Sequence, residues 1–241
     1  MRNLVINEDS LTALERVPPD SVDLVVIDPP YCSENKARAG TRYNQNQGQL
    51  TQFDDMSART YTKFMHSRLR LLFQTMKAGA HIYVFCGWKL LRELMDTMEL
   101  SSFRLNKVLI WDQMSIGGGY AWRNQHEFIV FGSKGVANPV QDKSYATVLS
   151  HPRIKEGVHP FQKPTGLIAD IIRNASKEGD LVLDCFGGSG TVAVVAKSLK
   201  RDFISIEIDS DSCSLTNQRL VTDQALDIKR SRIKKKNKKE E

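Results

Sequence analysis

The sequence predicts an α/β fold, with a largely parallel sheet covered by helices on both faces. Three observations carry this. Short apolar runs of strand length alternate with segments whose apolar residues recur at helical spacing. Two of those runs stop abruptly on an acid, at Asp28 and at Asp184. The residues just beyond each acid are unusual: two prolines and a tyrosine after the first, a glycine-rich turn after the second. The length, 241 residues, suits one such domain or two small ones.

Seven strands are expected, at residues 3–6, 22–27, 80–85, 106–111, 127–131, 180–184 and 203–206. Each is short, rich in β-branched or aromatic side chains and bounded by polar or turn-forming residues. Helices are expected between them. The first, at 11–16, is short. The second, at 60–76, carries Phe64, Leu71 and Leu72 on one face, and a third comes at 89–98. Leu167, Ile168, Ile171, Ile172 and Ala175 form a helical stripe that opens at Pro164, a favoured first-turn residue. Helices at 191–199 and 211–226 complete the set. Two long irregular stretches interrupt the alternation, at 32–57 and at 132–163. Loops of that length in a compact domain are usually functional or disordered.

The net charge of +6 is uneven. Residues 229–241, KRSRIKKKNKKEE, hold eight Lys or Arg and two Glu, so the tail accounts for +6 and the body before it for zero. Such a tail is expected to be disordered. It reads either as a solvated tail or as an arm that seeks phosphates on nucleic acid. No apolar run approaches a membrane span, and the N-terminus lacks the layout of a signal peptide. Cys32, Cys86, Cys185 and Cys213 are scattered, which suits reduced thiols in a cytoplasmic protein and offers no zinc-ligand spacing. His81, His126 and His151 are isolated and read as structural or surface residues.

In open α/β sheets, ligands sit beyond the carboxyl ends of the strands, where the strand order reverses. After Asp184 a tight turn with Gly187, Gly188 and Gly190 leads into a helix, whose first N–H groups are free. Lys does not come after the last glycine, which excludes a phosphate-binding P-loop. GSGTVA, residues 188–193, fits the dinucleotide fingerprint, and Glu207 stands about 20 residues on, where an acid binds ribose hydroxyls. These features predict a nucleoside cofactor, although a glycine turn that merely packs a helix on a sheet has a similar pattern. The other strand end is DPPY, residues 28–31. Its prolines remove backbone donors, leaving carbonyl oxygens available to a ligand. Asp28 and the Pro29 carbonyl can each accept one N–H of a planar amine, with Tyr31 stacked on the ring. A plain proline turn with a capping Asp is the alternative.

Together these stretches resemble the β-type, circularly permuted group of amino-methylating DNA methyltransferases, which use S-adenosylmethionine. DPPY matches the catalytic motif of that family, and VLDCFGGSGT, residues 182–191, its cofactor loop. The catalytic motif comes first, which is the permuted order. INEDSLTALERVPPDSVDLVVIDPPY resembles the group's opening, HPFQKPTGL the segment leading into the cofactor half, and KVLIWDQ and RNQHEFIVFGSKG its later strands. The resemblance implies a Rossmann-like methyltransferase fold with a seven-stranded, mostly parallel sheet. It makes residues 1–228 a single methyltransferase domain, with 32–57 a flexible loop near the active site. A short target-recognition segment would lie at about 134–158.

Carried over onto this sequence, Asp28, Pro29, Pro30 and Tyr31 would be catalytic. Asp9, Asp28, Lys163, Asp184, Phe186, Gly187, Gly188, Ser189, Gly190, Thr191 and Glu207 would bind the cofactor. Asp9 would meet its adenine, Glu207 its ribose, and Lys163 and Thr165 would lie near its methionine end. Cys185 stands where the family often has Pro, and Gly187 where it has a small residue. An acid before PPY leans towards adenine N6 and a serine towards cytosine N4, so adenine in DNA is the expected target. Cytosine N4 is the alternative. A nicotinamide-dependent oxidoreductase and an inactive DNA-binding relic are more remote. The group also implies a possible homodimer, a separate restriction endonuclease where one exists, and a prokaryotic or phage origin.

Overall fold

The computed structural model describes residues 1–30, 57–117, 121–154 and 162–222. Among these the strands are β1 (Leu4–Asn7), β2 (Val22–Ile27), β3 (Met76–Cys86), β4 (Arg104–Asp112), β5 (His126–Ser133), β6 (Val148–Ser150), β7 (Leu181–Asp184) and β8 (Asp202–Glu207). The helices are α1 (Ser10–Leu14), α2 (Ala58–Thr75), α3 (Leu91–Leu100), α4 (Thr165–Ala175), α5 (Thr191–Ser198) and α6 (Ser210–Thr222). The strands form one sheet in the order β1-β8-β7-β2-β3-β5-β4-β6. It is mostly parallel; only β5 runs against its neighbours β3 and β4.

Both faces of the central strands are buried, which explains why residues 22–27 read as an almost unbroken apolar run. Val25 and Ile27 face a core built with Leu14 of α1, Met65 and Leu69 of α2, and Leu94 of α3. Leu24 and Val26 face the opposite core, with Ile168 and Ile172 of α4 and Val195 of α5. A strand alternates sides at every residue, so burial on both sides demands apolar side chains throughout.

The sheet has eight strands among the described residues, one more than expected. The addition is β6, which lies inside a stretch read as irregular and pairs with β4 from Ile110↔Val148 to Asp112↔Ser150. Only Leu149 of its three residues is buried, so it leaves no periodic signal in the sequence. β3 begins at Met76 rather than near residue 80, directly where α2 ends. Gly79 looks like a break in the sequence, but it bends the strand at φ +78° while Asn138 packs against it. Pro164 caps α4 from just outside rather than occupying its first turn. A 3-10 turn, Trp88–Leu90, precedes α3. The end expected for the last helix and the basic tail lie outside the described residues.

This topology positions the site. From β7 the chain passes through α5 to β8 on one side; from β2 it passes through α2 to β3 on the other. β7 and β2 are parallel neighbours, paired at Leu24↔Val182 and Val25↔Leu183. The reversal of strand order therefore falls between them, and their carboxyl ends open one crevice. Asp28 and Asp184 stand at its two lips. The pairings Cys86↔Phe128 and Asp112↔His126 bring the start of β5 and the end of β4 to the same end of the sheet.

Candidate active site

The glycine turn is pressed onto β8. The Gly187 N–H donates to the Ile206 carbonyl at 2.9 Å, and a Cβ on Gly187 would stand 2.3 Å from Ser205 Oγ. Gly190, at φ +75°, begins α5, and a Cβ there would meet Thr216 at 2.4 Å. A side chain at either position therefore requires its neighbour to shift. The turn is held from behind by α6: Arg219 Nη1 donates to the Ser189 carbonyl at 2.5 Å, and Thr216 Oγ1 to the Gly188 carbonyl at 3.2 Å. Ser189 and Thr191 are buried beneath it. Glu207 faces the turn from the end of β8. Its Oε2 accepts the Gly188 N–H at 2.7 Å and its Oε1 the Asp209 N–H at 2.9 Å.

Asp184 is buried, and its Oδ1 accepts the Phe186 N–H at 3.0 Å. Burial pushes its carboxyl up to about 8 against that hydrogen bond, with Asp28 and Glu207 adding to the rise. The same crevice thus contains several acids that cannot all ionise cheaply.

Asp28 stands one position beyond the last residue of β2. Lys163 Nζ donates to its Oδ2 at 2.5 Å. Its Oδ1 is covered and has no hydrogen-bond donor among the described residues. The side chain as a whole keeps 27% of its surface exposed, so Asp28 lies at the crevice wall and not in the core. Burial raises its pKa; Lys163 opposes the rise and Glu127 adds to it. Pro29 is buried and Pro30 half-buried. Lys163, just before α4, also reaches Glu127 Oε2 of β5 at 3.4 Å, and Gln113 Nε2 donates to Glu127 Oε1 at 2.9 Å. The rings of Phe85 and Trp111 lie 5.2 and 5.8 Å from the ammonium.

A third group flanks the glycine turn. Asp9 caps α1, accepting the Leu11 N–H at 2.9 Å, and its second oxygen accepts from Arg68 Nη2 at 2.9 Å. Arg68 is buried; it also donates from Nε to Ser10 Oγ at 2.6 Å and lies over the Phe64 ring at 3.8 Å. Phe64 in turn packs on Phe186 of the turn, with centroids 5.8 Å apart. Asp9 is thereby tied to the glycine turn through α2.

The residues expected at the site from the sequence gather as two strand ends and a flanking acid. Asp28, Lys163, Asp184, Phe186, the glycines, Glu207 and Asp9 all surround this end of the sheet. Tyr31, residues 32–56 of the expected loop and the last part of the expected recognition segment lie outside the described residues. Sequence reasoning missed Arg68, Glu127, Gln113 and Arg219 as site residues. Each acts across at least 14 positions of chain, and a polar residue gives no local hint of so distant a partner. His81 and His151 are buried structural residues: His81 Nε2 meets the Asn138 carbonyl at 2.8 Å and His151 Nε2 meets Asp170 at 3.0 Å. His126 is exposed.

The family of DNA methylases of the N6 and N4 type matches residues 22–218, and the chain belongs to it. The chain is 27% identical to the type II methyltransferase M.HinfI of Haemophilus influenzae, over 90% of this chain and 68% of that protein. It is likewise 27% identical to M.HpaI of Haemophilus parainfluenzae, over 91% of this chain and 74% of that one. In fold it resembles the PvuII cytosine-N4-specific DNA methyltransferase with a TM-score of 0.73 at 19% identity, covering 91% of this chain and 86% of the other. It also resembles M1.HpyAVI, solved in complex with S-adenosylmethionine, with a TM-score of 0.68 at 20% identity, covering 90% and 98%.

Proposed function

We propose that the protein transfers a methyl group from S-adenosylmethionine to the N6 amine of adenine in DNA, acting on a base flipped out of the duplex. The observation that carries this is the covered Oδ1 of Asp28, without a donor among the described residues, at the switch-point crevice beside a glycine turn packed tightly on β8 and α6. An acceptor in that position is matched by an exocyclic amine, which has two N–H groups to give.

The residues fit the cofactor. Gly187 and Gly190 let the turn pack tightly on Ser205 of β8 and Thr216 of α6, which holds its backbone at the carboxyl end of β7. Glu207 accepts one backbone N–H on each oxygen. A carboxylate offers about four acceptor positions, so both oxygens keep capacity for ribose hydroxyls. Asp9, held by Arg68, is the acid for the adenine, and Phe186 with Ser189 and Thr191 lines the turn. When bound, S-adenosylmethionine supplies an electrophilic methyl group.

Everything else is the work of the chain. The target amine faces its pairing partner in duplex DNA, so the base must leave the stack, at a cost of a few kcal/mol. Tyr31 stacking on the extruded ring offsets about 1–3 kcal/mol of that. Asp28 Oδ1 and the Pro29 carbonyl each accept an N–H, which draws the nitrogen lone pair out of the ring and aims it. Holding two reactants in line is itself a large catalytic contribution. The methylated amine carries one proton too many, and Asp28, whose proton affinity burial raises, receives it.

Adenine is favoured by the acid at Asp28. Cytosine N4 is the second reading, supported by the likeness in fold to the PvuII enzyme. The test is mass spectrometry of nucleosides from unmethylated DNA incubated with the protein and methyl-labelled cofactor. Labelled N6-methyladenine is expected. Labelled N4-methylcytosine would keep the reaction and reverse the base; no labelled nucleoside would overturn the proposal.

A further inference from the structure

We infer that Lys163 is a positioning residue for Asp28, not a ligand of the cofactor: its ammonium clamps one carboxylate oxygen and leaves the other, which has no donor among the described residues, to accept from the substrate amine. The inference rests on the methyl-transfer reading of the crevice and reassigns a residue within it.

The geometry is that of a built clamp. Lys163 Nζ stands 2.5 Å from Asp28 Oδ2 and 3.4 Å from Glu127 Oε2, and its side chain is only 10% exposed. Glu127 is itself oriented by Gln113. The aromatic faces of Phe85 and Trp111 approach the ammonium from β3 and β4. An ammonium so placed is shielded from water, and a buried charge needs such partners. Because Oδ2 is occupied, the carboxylate cannot rotate freely, and Oδ1 stays the acceptor. The family resemblance gives a different expectation, that Lys163 meets the methionine end of the cofactor.

The groups facing Asp28 set the direction of its titration. Burial, the largest influence, raises its pKa, and Lys163 opposes that rise. Glu127 of β5 adds to it, pushing Asp28 towards the protonated form. Asp184 of β7 and Cys86 of β3 are each raised in part by Asp28, and both are raised chiefly by burial. Removing the ammonium therefore leaves burial and Glu127 unopposed, and Asp28 takes a proton at higher pH. Removing the charge of Glu127 has the opposite effect.

The experiment compares the full-length protein with Lys163→Met, Lys163→Arg and Glu127→Gln. It reads three things: the titration of Asp28 by carboxyl-carbon NMR, assigned with Asp28→Asn; the acid limb of single-turnover methyl transfer; and cofactor affinity by calorimetry. Lys163→Met should raise the Asp28 midpoint and the acid limb together by about one pH unit or more, the usual effect of losing an adjacent opposite charge. Lys163→Arg should return both towards wild type, and Glu127→Gln should lower both. Cofactor affinity should hold in all three. Opposite shifts from two neighbouring substitutions cannot come from general loosening of the fold. An unchanged Asp28 midpoint in Lys163→Met, or a loss confined to cofactor affinity, would overturn the assignment. The NMR titration needs no DNA, so a wild-type protein that methylates no DNA would fail the functional proposal while still deciding this one.

Discussion

Gly187 and Ser205 are packed so closely that a single Cβ on the glycine would stand 2.3 Å from the serine Oγ. The contact joins the glycine turn to β8, the strand that carries Glu207. A side chain on Gly187 therefore requires either the turn or the serine hydroxyl to move.

Gly187→Ala should weaken S-adenosylmethionine binding by about tenfold or more, roughly 1.4 kcal/mol, because the turn shifts from Glu207. Ser205→Ala in the same chain should recover most of the loss. It removes the Oγ and leaves the serine Cβ position at 3.6 Å, an ordinary contact. Calorimetric titration of the single and double variants decides it; absence of recovery would place the defect elsewhere.

Arg68 joins Asp9, Ser10 and Phe64 from a buried position. Arg68→Met keeps bulk and deletes the donors. Stability in urea should fall by about 2 kcal/mol, the order expected for hydrogen bonds to a charged group. Cofactor affinity should fall as well, since Asp9 loses the partner that aims it.

These two sites mark what a single sequence can convey. The ends of β2 and β7 are legible because an apolar run that stops at Asp28 or Asp184 needs no tertiary knowledge to interpret. Gly187 is legible as a turn residue, but Ser205 as its neighbour is not. Arg68 reads as one more polar residue of an amphipathic helix, since its partner Asp9 lies 59 positions away. β6 is invisible for another reason: three residues with one buried side chain make no pattern. Lys163 is legible through its motif, yet the motif does not reveal that its ammonium meets Asp28.

His151 and Asp170 tie the segment after β6 to α4, with Tyr145 donating to the other Asp170 oxygen at 3.1 Å. Asp170→Asn should cost about 1–3 kcal/mol, because both His151 and Asp170 are buried. Chemical denaturation measures this.

Asp184 gives the fold a pH dependence of definite sign. Its folded pKa of about 8 lies above the ordinary 3.8, so between these values the native state holds more protons than the unfolded chain. The contribution is complete below the lower value and is lost as pH rises through the upper one. Asp184→Asn should therefore gain stability relative to wild type progressively from about pH 4 to pH 8. Thermal melts across that range should show the two curves separating as pH increases.

The tail at 229–241 carries the whole formal excess of positive charge. Deleting the residues after Ile228 should weaken DNA binding and flatten its dependence on salt, since each lysine or arginine on a phosphate releases a counterion. Binding isotherms at several salt concentrations test this, and an unchanged slope would leave the tail without a role on DNA.

The central claim is that Asp28 grips the target amine, and single-turnover transfer of labelled methyl to adenine by Asp28→Ala tests it most directly. Cofactor affinity should persist while the rate falls at least about a hundredfold, the low end for a group that acts on a proton in the transition state. An Asp28→Ala protein that binds cofactor and methylates adenine at the wild-type rate would contradict the account.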